Sequence, residues 1–253
     1  MTSGPRPFVF FGLLFLLSVP FWLFGALIGD ALLPGLPVSA LMVVAPAIAA
    51  GLLVWRAGGA AELTAFLRRA GDFRGMRPWV WLVAFGTMPA VMVLSGVILV
   101  AVGAPPPAPQ IGLTQTVALF ALFFVSATAE ELGWTAYATR PLVKAHGLIV
   151  AGLIIGLVSV VWHVIPLLQV DRSWDWIAWW ALGTLARRMI IVWLYVRGGE
   201  RVFSASLFHA MNNVSWMLFP IMGSHYDPAS TALILVVLAA FILARSGNTR
   251  AFG

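Results

Sequence analysis

Cysteine is absent from the 253-residue chain. That excludes disulfides, a thiol nucleophile and thiolate metal ligands, and it leaves the redox compartment open. Charge is nearly as scarce: Asp, Glu, Lys and Arg make up 9% of the residues against 61% apolar side chains. A soluble domain carries about a quarter charged residues, so lipid is the expected solvent for the outer faces. The net charge of +6 does not point to nucleic acid, because the basic residues lie between apolar segments and build no continuous stripe. No internal repeat, low-complexity tail or second domain is visible. Residues 1–253 read as one integral membrane domain.

What is present is a series of apolar stretches, each of roughly 20 residues, the length that spans a bilayer as helix. They fall near 8–28, 38–55, 79–102, 111–139, 148–168, 176–196, 202–222 and 229–244. The expected fold is therefore all-α, a polytopic bundle of about eight spans around a polar intramembrane cavity. The first stretch is too long, and its positive flank too thin (Arg6 alone), for a cleaved signal peptide. The segment "ELTAFLRRAGDFRGMR" places apolar residues at helical spacing among arginines. It suits a short helix on the membrane surface or a solvated basic loop.

Basic residues are distributed unevenly between the loops. With the N-terminus inside, the cytoplasmic segments hold Arg6, Arg56, Arg68, Arg69, Arg74, Arg77, Arg140, Lys144, Arg197, Arg201, Arg245 and Arg250. The outside loops hold Arg172, beside Asp30, Asp171, Asp175 and Asp227. This bias places both termini in the cytoplasm, and a bacterial inner membrane is the expected setting. Two basic residues remain, Arg187 and Arg188 in "GTLARRMIIVW", halfway along the sixth stretch. Charges at that depth cost at least ~2.5–3.5 kcal/mol each and face a protected interior.

Other polar groups share that depth. "ATAEELGWTAYATR" carries Glu130 and Glu131 in the fourth stretch, "VSVVWHVIPLL" carries His163 in the fifth, and "LFHAMNN" carries His209, Asn212 and Asn213 in the seventh. At ~1.5 Å per residue the arginines lie roughly 17 Å in from the outer end of their span, and His209 and Asn213 about 12–18 Å from the inner end of theirs. His163 comes out deeper, about 24 Å from His146, and Glu130 joins the others only with tilt and a fourth helix that continues past Arg140. His209 and Asn213, four apart, share one helix face, as do Glu131 and Thr135, while Glu130 lines up with Trp134 and Tyr137. The two carboxylates point about 100° apart and suit different tasks. A carboxylate, two imidazoles and an amide converging in a low-dielectric cavity can activate water and hold an oxyanion. Trp134 and Tyr137 are expected to shape that cavity. His146 reads as a solvated loop residue, and His225 and Tyr226 as loop residues at the outer mouth.

The strings "EELGW", "WHVIPLL" and "WLYVRGGERVFSASLFHAMNN" resemble the CAAX prenyl protease and bacteriocin-processing (CPBP, or Abi) family of membrane proteins. The resemblance covers residues 126–217 as a motif-bearing core, with earlier spans similar in number and polarity. It implies a glutamate-dependent intramembrane endopeptidase without cofactor. Glu130 would be the water-activating carboxylate, His163 its assistant, and His209 with Asn213 the oxyanion pair. Glu131, Arg187, Arg188, Asn212, Trp134 and Tyr137 would support them. The implied partner is a membrane-associated peptide or protein, lipid-modified or not, reached from the cytoplasm or the bilayer. One departure stands out: the family motif Glu-Glu-x-x-x-Arg has Thr135 at the Arg position. A buried Glu131 then needs another cation, and Arg187 or Arg188 is the candidate.

Other classes remain in view. The zinc signature HExxH is absent, although Glu130, His163 and His209 could hold one divalent ion. Ser159 and Ser206 lack the Gly-rich context of a serine intramembrane protease, and no repeated halves suggest a transporter. A non-catalytic immunity or binding protein with a decayed site is the rival, in which the same polar residues merely join helices.

Overall fold

The computed structural model describes residues 5–246 except 109 and 111. Arg250 and the expected fourth-span start at Ile111 lie outside the described residues. Helices α1 (Pro7–Ile28), α2 (Ala45–Arg68) and α3 (Pro78–Ala101) each begin with proline at the first or second position, where its missing N–H costs nothing. α1 ends on Gly29 in the left-handed conformation. A two-stranded hairpin follows, β1 (Ala31–Leu33) and β2 (Leu36–Pro37), then a 3₁₀ turn over Val38–Val44. No pattern of residues had marked that hairpin.

α2 bends at Gly59, whose φ of 72° is open to glycine at little cost. Residues 60–68 continue as helix, so the expected second span is lengthened, and the surface segment 62–77 is half helix and half loop. α4 (Leu113–Glu131) passes through a π-helical stretch (Leu132–Thr139) into α5 (Arg140–His146), so one rod carries the carboxylates past Arg140. Then come α6 (Leu148–Leu168), α7 (Trp174–Arg197), α8 (Val202–Met217) and α9 (Pro228–Ser246).

Seven of these rods among the described residues are long and apolar enough to cross a bilayer. The eighth, α8, is 16 residues long and stops at Met217, five short of the expected 222, because Pro220 cannot continue a helix. It compensates by packing inward. Ser204, Ala205, Ser206 and Ala210 are buried, and small residues let α8 lie close to α3 and α4. α7 packs between α6 and α9. Around this interior, Leu27, Leu82, Val93, Val125 and Val237 are exposed, an apolar outer surface fit only for lipid. The protein is an all-α integral membrane bundle.

The two ends of the bundle are tied separately. At one, Arg201 pairs with Asp72, Arg140 stands 3.7 Å from Glu200, and the backbone N–H of Arg6 donates to the Tyr137 hydroxyl at 3.1 Å. At the other, the Gln169 amide donates to the carbonyl of Trp22 at 2.8 Å, and Trp176 meets Tyr226 with ring centroids 6.0 Å apart. The first end carries most of the basic residues and the second carries Asp30, Asp171, Asp175 and Asp227.

The rod holding the carboxylates is wedged at Gly133. A Cβ there would stand 2.7 Å from Phe10 and 2.8 Å from the carbonyl oxygen of Pro46. Gly133→Ala should therefore cost about 1–3 kcal/mol through forced displacement, read as a lowered unfolding temperature in detergent. Gly12→Ala, with no neighbour within 4 Å of the added atom, should leave that temperature unchanged.

Candidate active site

Glu130 and Glu131 close the α-helical part of their rod, and the π-helical stretch starts directly after them. The hydroxyl of Thr139 donates to the carbonyl of Trp134, five residues back, at 2.9 Å. Such wide turns occur mostly at functional sites, where they redirect side chains without breaking the helix. Both carboxylates are buried, at 3% and 0% exposure.

Glu131 is fully occupied. It accepts from the Thr135 hydroxyl at 2.5 Å on one oxygen, and from Arg188 at 2.5 Å and His209 Nδ1 at 2.8 Å on the other. Arg188 thus supplies the cation that Thr135 cannot. It reaches Glu131 from α7, and its second Nη lies 3.6 Å from Glu130. The guanidinium also rests 5.4 Å from the ring centroid of Trp134. Three donors on one carboxylate match an acceptor-only, ionised group.

Glu130 has more room. The indole N–H of Trp134 approaches one oxygen at 3.4 Å, and His209 Nε2 stands 3.9 Å from the other. That second gap is too wide for a hydrogen bond and suits a shared water. Since His209 Nδ1 is turned to Glu131, its Nε2 is the nitrogen presented to Glu130. His163 Nδ1 donates to the carbonyl of Ser159 at 2.7 Å, which leaves Nε2 as the acceptor nitrogen. Trp162 and Trp180 hold the imidazole at ring centroid distances of 4.7 and 5.3 Å. Asn212 Nδ2 donates to Asn213 Oδ1 at 2.9 Å, turning the Asn213 amide N–H₂ to other acceptors.

Glu130, His163, His209, Asn212, Asn213 and both arginines of α7 line one cavity of about 520 Å³. Residues from α4, α6, α7 and α8 are thus brought together, as the depth comparison required. Trp134 instead lies behind the carboxylates, fully buried. Tyr137 does not line the cavity: its ring packs 5.5 Å from Phe10 and its hydroxyl faces the basic end, because the π-helical stretch rotates it off the Glu130 face. Arg187 does not reach Glu131 either, and bonds Thr184.

Several lining residues escaped the sequence reading. Trp176, Trp180, Thr184 and Ile191 share the arginine face of α7 at helical spacing, a pattern that could have been read. Tyr226, read from the sequence as a loop residue at the outer mouth, also lines the cavity, as do the hairpin residues Leu32, Leu33 and Leu36, which no sequence signal marked. Together with Arg172 and Trp216 they place its mouth at the aspartate-bearing end, opposite Arg68, Arg77, Arg140 and Arg201. The sequence reading expected entry from the cytoplasm or the bilayer; the mouth opens at the end of the bundle that carries Asp30, Asp171, Asp175 and Asp227. His225 is an exposed loop residue bonded to Ser224 at 2.9 Å.

The donor set does not suit a divalent ion. Arg188 occupies the ground between the carboxylates, and among the described residues no three His, Cys, Asp or Glu side chains converge as ligands.

Residues 112–215 match the family model described as type II CAAX prenyl endopeptidase Rce1-like. The chain is also 26% identical over 226 residues to a CAAX prenyl protease 2 of Methanococcus maripaludis, across 84% of this chain and 80% of that protein. The resemblance read from the motifs is borne out.

Removing Arg188 strands a buried carboxylate. Arg188→Met should destabilise the protein by about 3–5 kcal/mol, and adding Glu131→Gln should recover most of the loss. Thermal unfolding of the three proteins in one detergent measures both steps.

Proposed function

From its likeness to the CAAX prenyl endopeptidases as premise, we propose that this chain is an intramembrane endopeptidase that hydrolyses a peptide bond with water activated by Glu130. The observation that carries this reading is the asymmetry of the carboxylate pair: Glu131 is saturated by three donors, whereas Glu130 faces the cavity with an oxygen 3.9 Å from His209 Nε2.

Glu130 takes a proton from a water held between it and His209, and the hydroxide oxygen attacks the carbonyl carbon of the substrate. Negative charge then develops on the carbonyl oxygen. His209 with a proton on each ring nitrogen, Nδ1–H on Glu131 and Nε2–H toward the oxyanion, and the Asn213 amide stabilise that charge. The intermediate collapses as Glu130 passes the same proton to the departing amine. His163 assists through Nε2, its ring fixed by Ser159 and two tryptophans. Arg188 acts through Glu131 and positions His209. No step uses a cofactor, and the core spans residues 126–217.

The positive-inside rule, applied to the two ends of the bundle, puts the basic end in the cytoplasm and the cavity mouth outside. The substrate is then a membrane-associated peptide or protein that presents its cleavage site from the extracytoplasmic side or outer leaflet. An immunity or binding protein has less support, because idle carboxylates at this depth would be a cost without return.

Glu130→Gln should lower cleavage by at least about a hundredfold, the scale of a lost general base, while insertion is unchanged. Membrane peptide profiles of cells carrying wild type and variant measure it, and identical profiles would sink the enzyme reading. Sidedness has its own test, since the chain has no cysteine. A membrane-impermeant maleimide should label His225→Cys on intact cells and label Gly71→Cys only after permeabilisation. The reverse pattern would overturn the orientation.

A further inference from the structure

Among the described residues lining the cavity, Glu130 is the one acid against three arginines, Arg172, Arg187 and Arg188. Arg188 is matched by the two glutamates. Arg172 sits at the mouth with its guanidinium 4.5 Å from the Trp176 ring centroid. Arg187 differs from both. It is 8% exposed, and no carboxylate among the described residues lies within ion-pair reach of it. Its hydrogen bonds run from Nη2 to the Thr184 hydroxyl at 2.5 Å and to the side chain of Tyr226, both neutral partners. The Trp180 ring centroid is 5.9 Å from Cζ, at the outer limit of a cation–π contact. Gly183 leaves space beside the other Nη, where a Cβ would come within 3.3 Å.

A guanidinium presents five N–H donors in a planar fork that fits a carboxylate by two parallel bonds. Buried at membrane depth without an anion, it is costly to keep. The mechanism leaves this cation unused, although it lines the same cavity as Glu130. Neighbouring positions on a helix point about 100° apart, so Arg188 turns to the glutamates while Arg187 turns along the wall with Thr184 and Trp180.

We propose that Arg187 is the carboxylate-binding residue of this cavity. It receives a carboxylate carried by the peptide substrate, from the chain end or from an acidic side chain, and thereby fixes the distance between that group and the bond at Glu130. This rests on the peptidase reading and names the substrate feature that the site selects.

The test reads binding without turnover. The full-length Glu130→Gln protein in phosphatidylcholine nanodiscs is titrated with three fluorescent peptides of one apolar sequence: a free C-terminus, a C-terminal amide, and the amide with one internal Glu. Either or both carboxylate peptides should bind about tenfold or more tightly than the plain amide, the scale of a charge-assisted hydrogen bond. Which one gains identifies the source. Adding Arg187→Gln should remove the gain, and Arg187→Lys should keep part of it. If Arg187→Gln fails to insert, Thr184→Val, which frees the fork from its orienting hydroxyl, should lower the same ratio. Equal affinities for all three peptides, or a preference that survives these substitutions, overturns the proposal. Failure of the peptidase reading appears separately, as no cleavage of the same peptides by protein that retains Glu130.

Discussion

The ion pair between Glu131 and Arg188 is the interaction on which the rest of the site depends. It joins α4 to α7 at a depth where neither charge could stand alone, and the same carboxylate oxygen holds His209 on α8. One buried anion therefore sets the relative positions of three helices. In water such a pair would be worth little, but in a bundle interior the alternative to pairing is an isolated charge. Its apparent purpose is orientation: with Nδ1 committed to Glu131, the imidazole has a single direction left for Nε2, toward Glu130.

The backbone supports this arrangement in a second way. A regular helix through residues 130–146 would keep Trp134 and Tyr137 on the face of Glu130. The π-helical turns divide them, leaving Trp134 beneath the carboxylates and sending Tyr137 to the basic end, where it receives the N–H of Arg6. Gly133 allows α1 and α2 to close against those turns. Arg69 reaches the same rod and donates to the carbonyl of Ala136 at 2.8 Å and to the Tyr195 hydroxyl at 2.7 Å. The wide turns are thus held by neighbours on three sides rather than by their own hydrogen bonds alone.

Much of this was legible in the sequence because membrane depth makes polarity rare and therefore informative. The bundle, its spans and the gathering of Glu130, His163, His209 and Asn213 followed from apolar length and the placement of few charges. Thr135 in place of arginine was the most useful signal, since a carboxylate left without its cation required another, and Arg188 stands there. What stayed hidden depends on local backbone geometry. Tyr137 was misplaced by π-helical turns that leave no mark on side-chain spacing. The hairpin at 31–37 has no periodicity to read, so its share in the cavity wall could not be inferred, whereas the loop carrying Tyr226 was placed at the outer mouth. The early end of α8 was readable from Pro220 but was masked by the apolar run continuing past it.

That early end changes the environment of the reacting groups. At ~1.5 Å per residue α8 is about 24 Å long, some 6 Å less than a bilayer's hydrocarbon thickness of ~30 Å. His209 lies eight residues before Met217, about 12 Å from the terminus of its own helix. The cavity shared by His209 and Glu130 is thus about two helical turns from that end, so the proposed hydrolysis needs short-range wetting rather than a long aqueous channel.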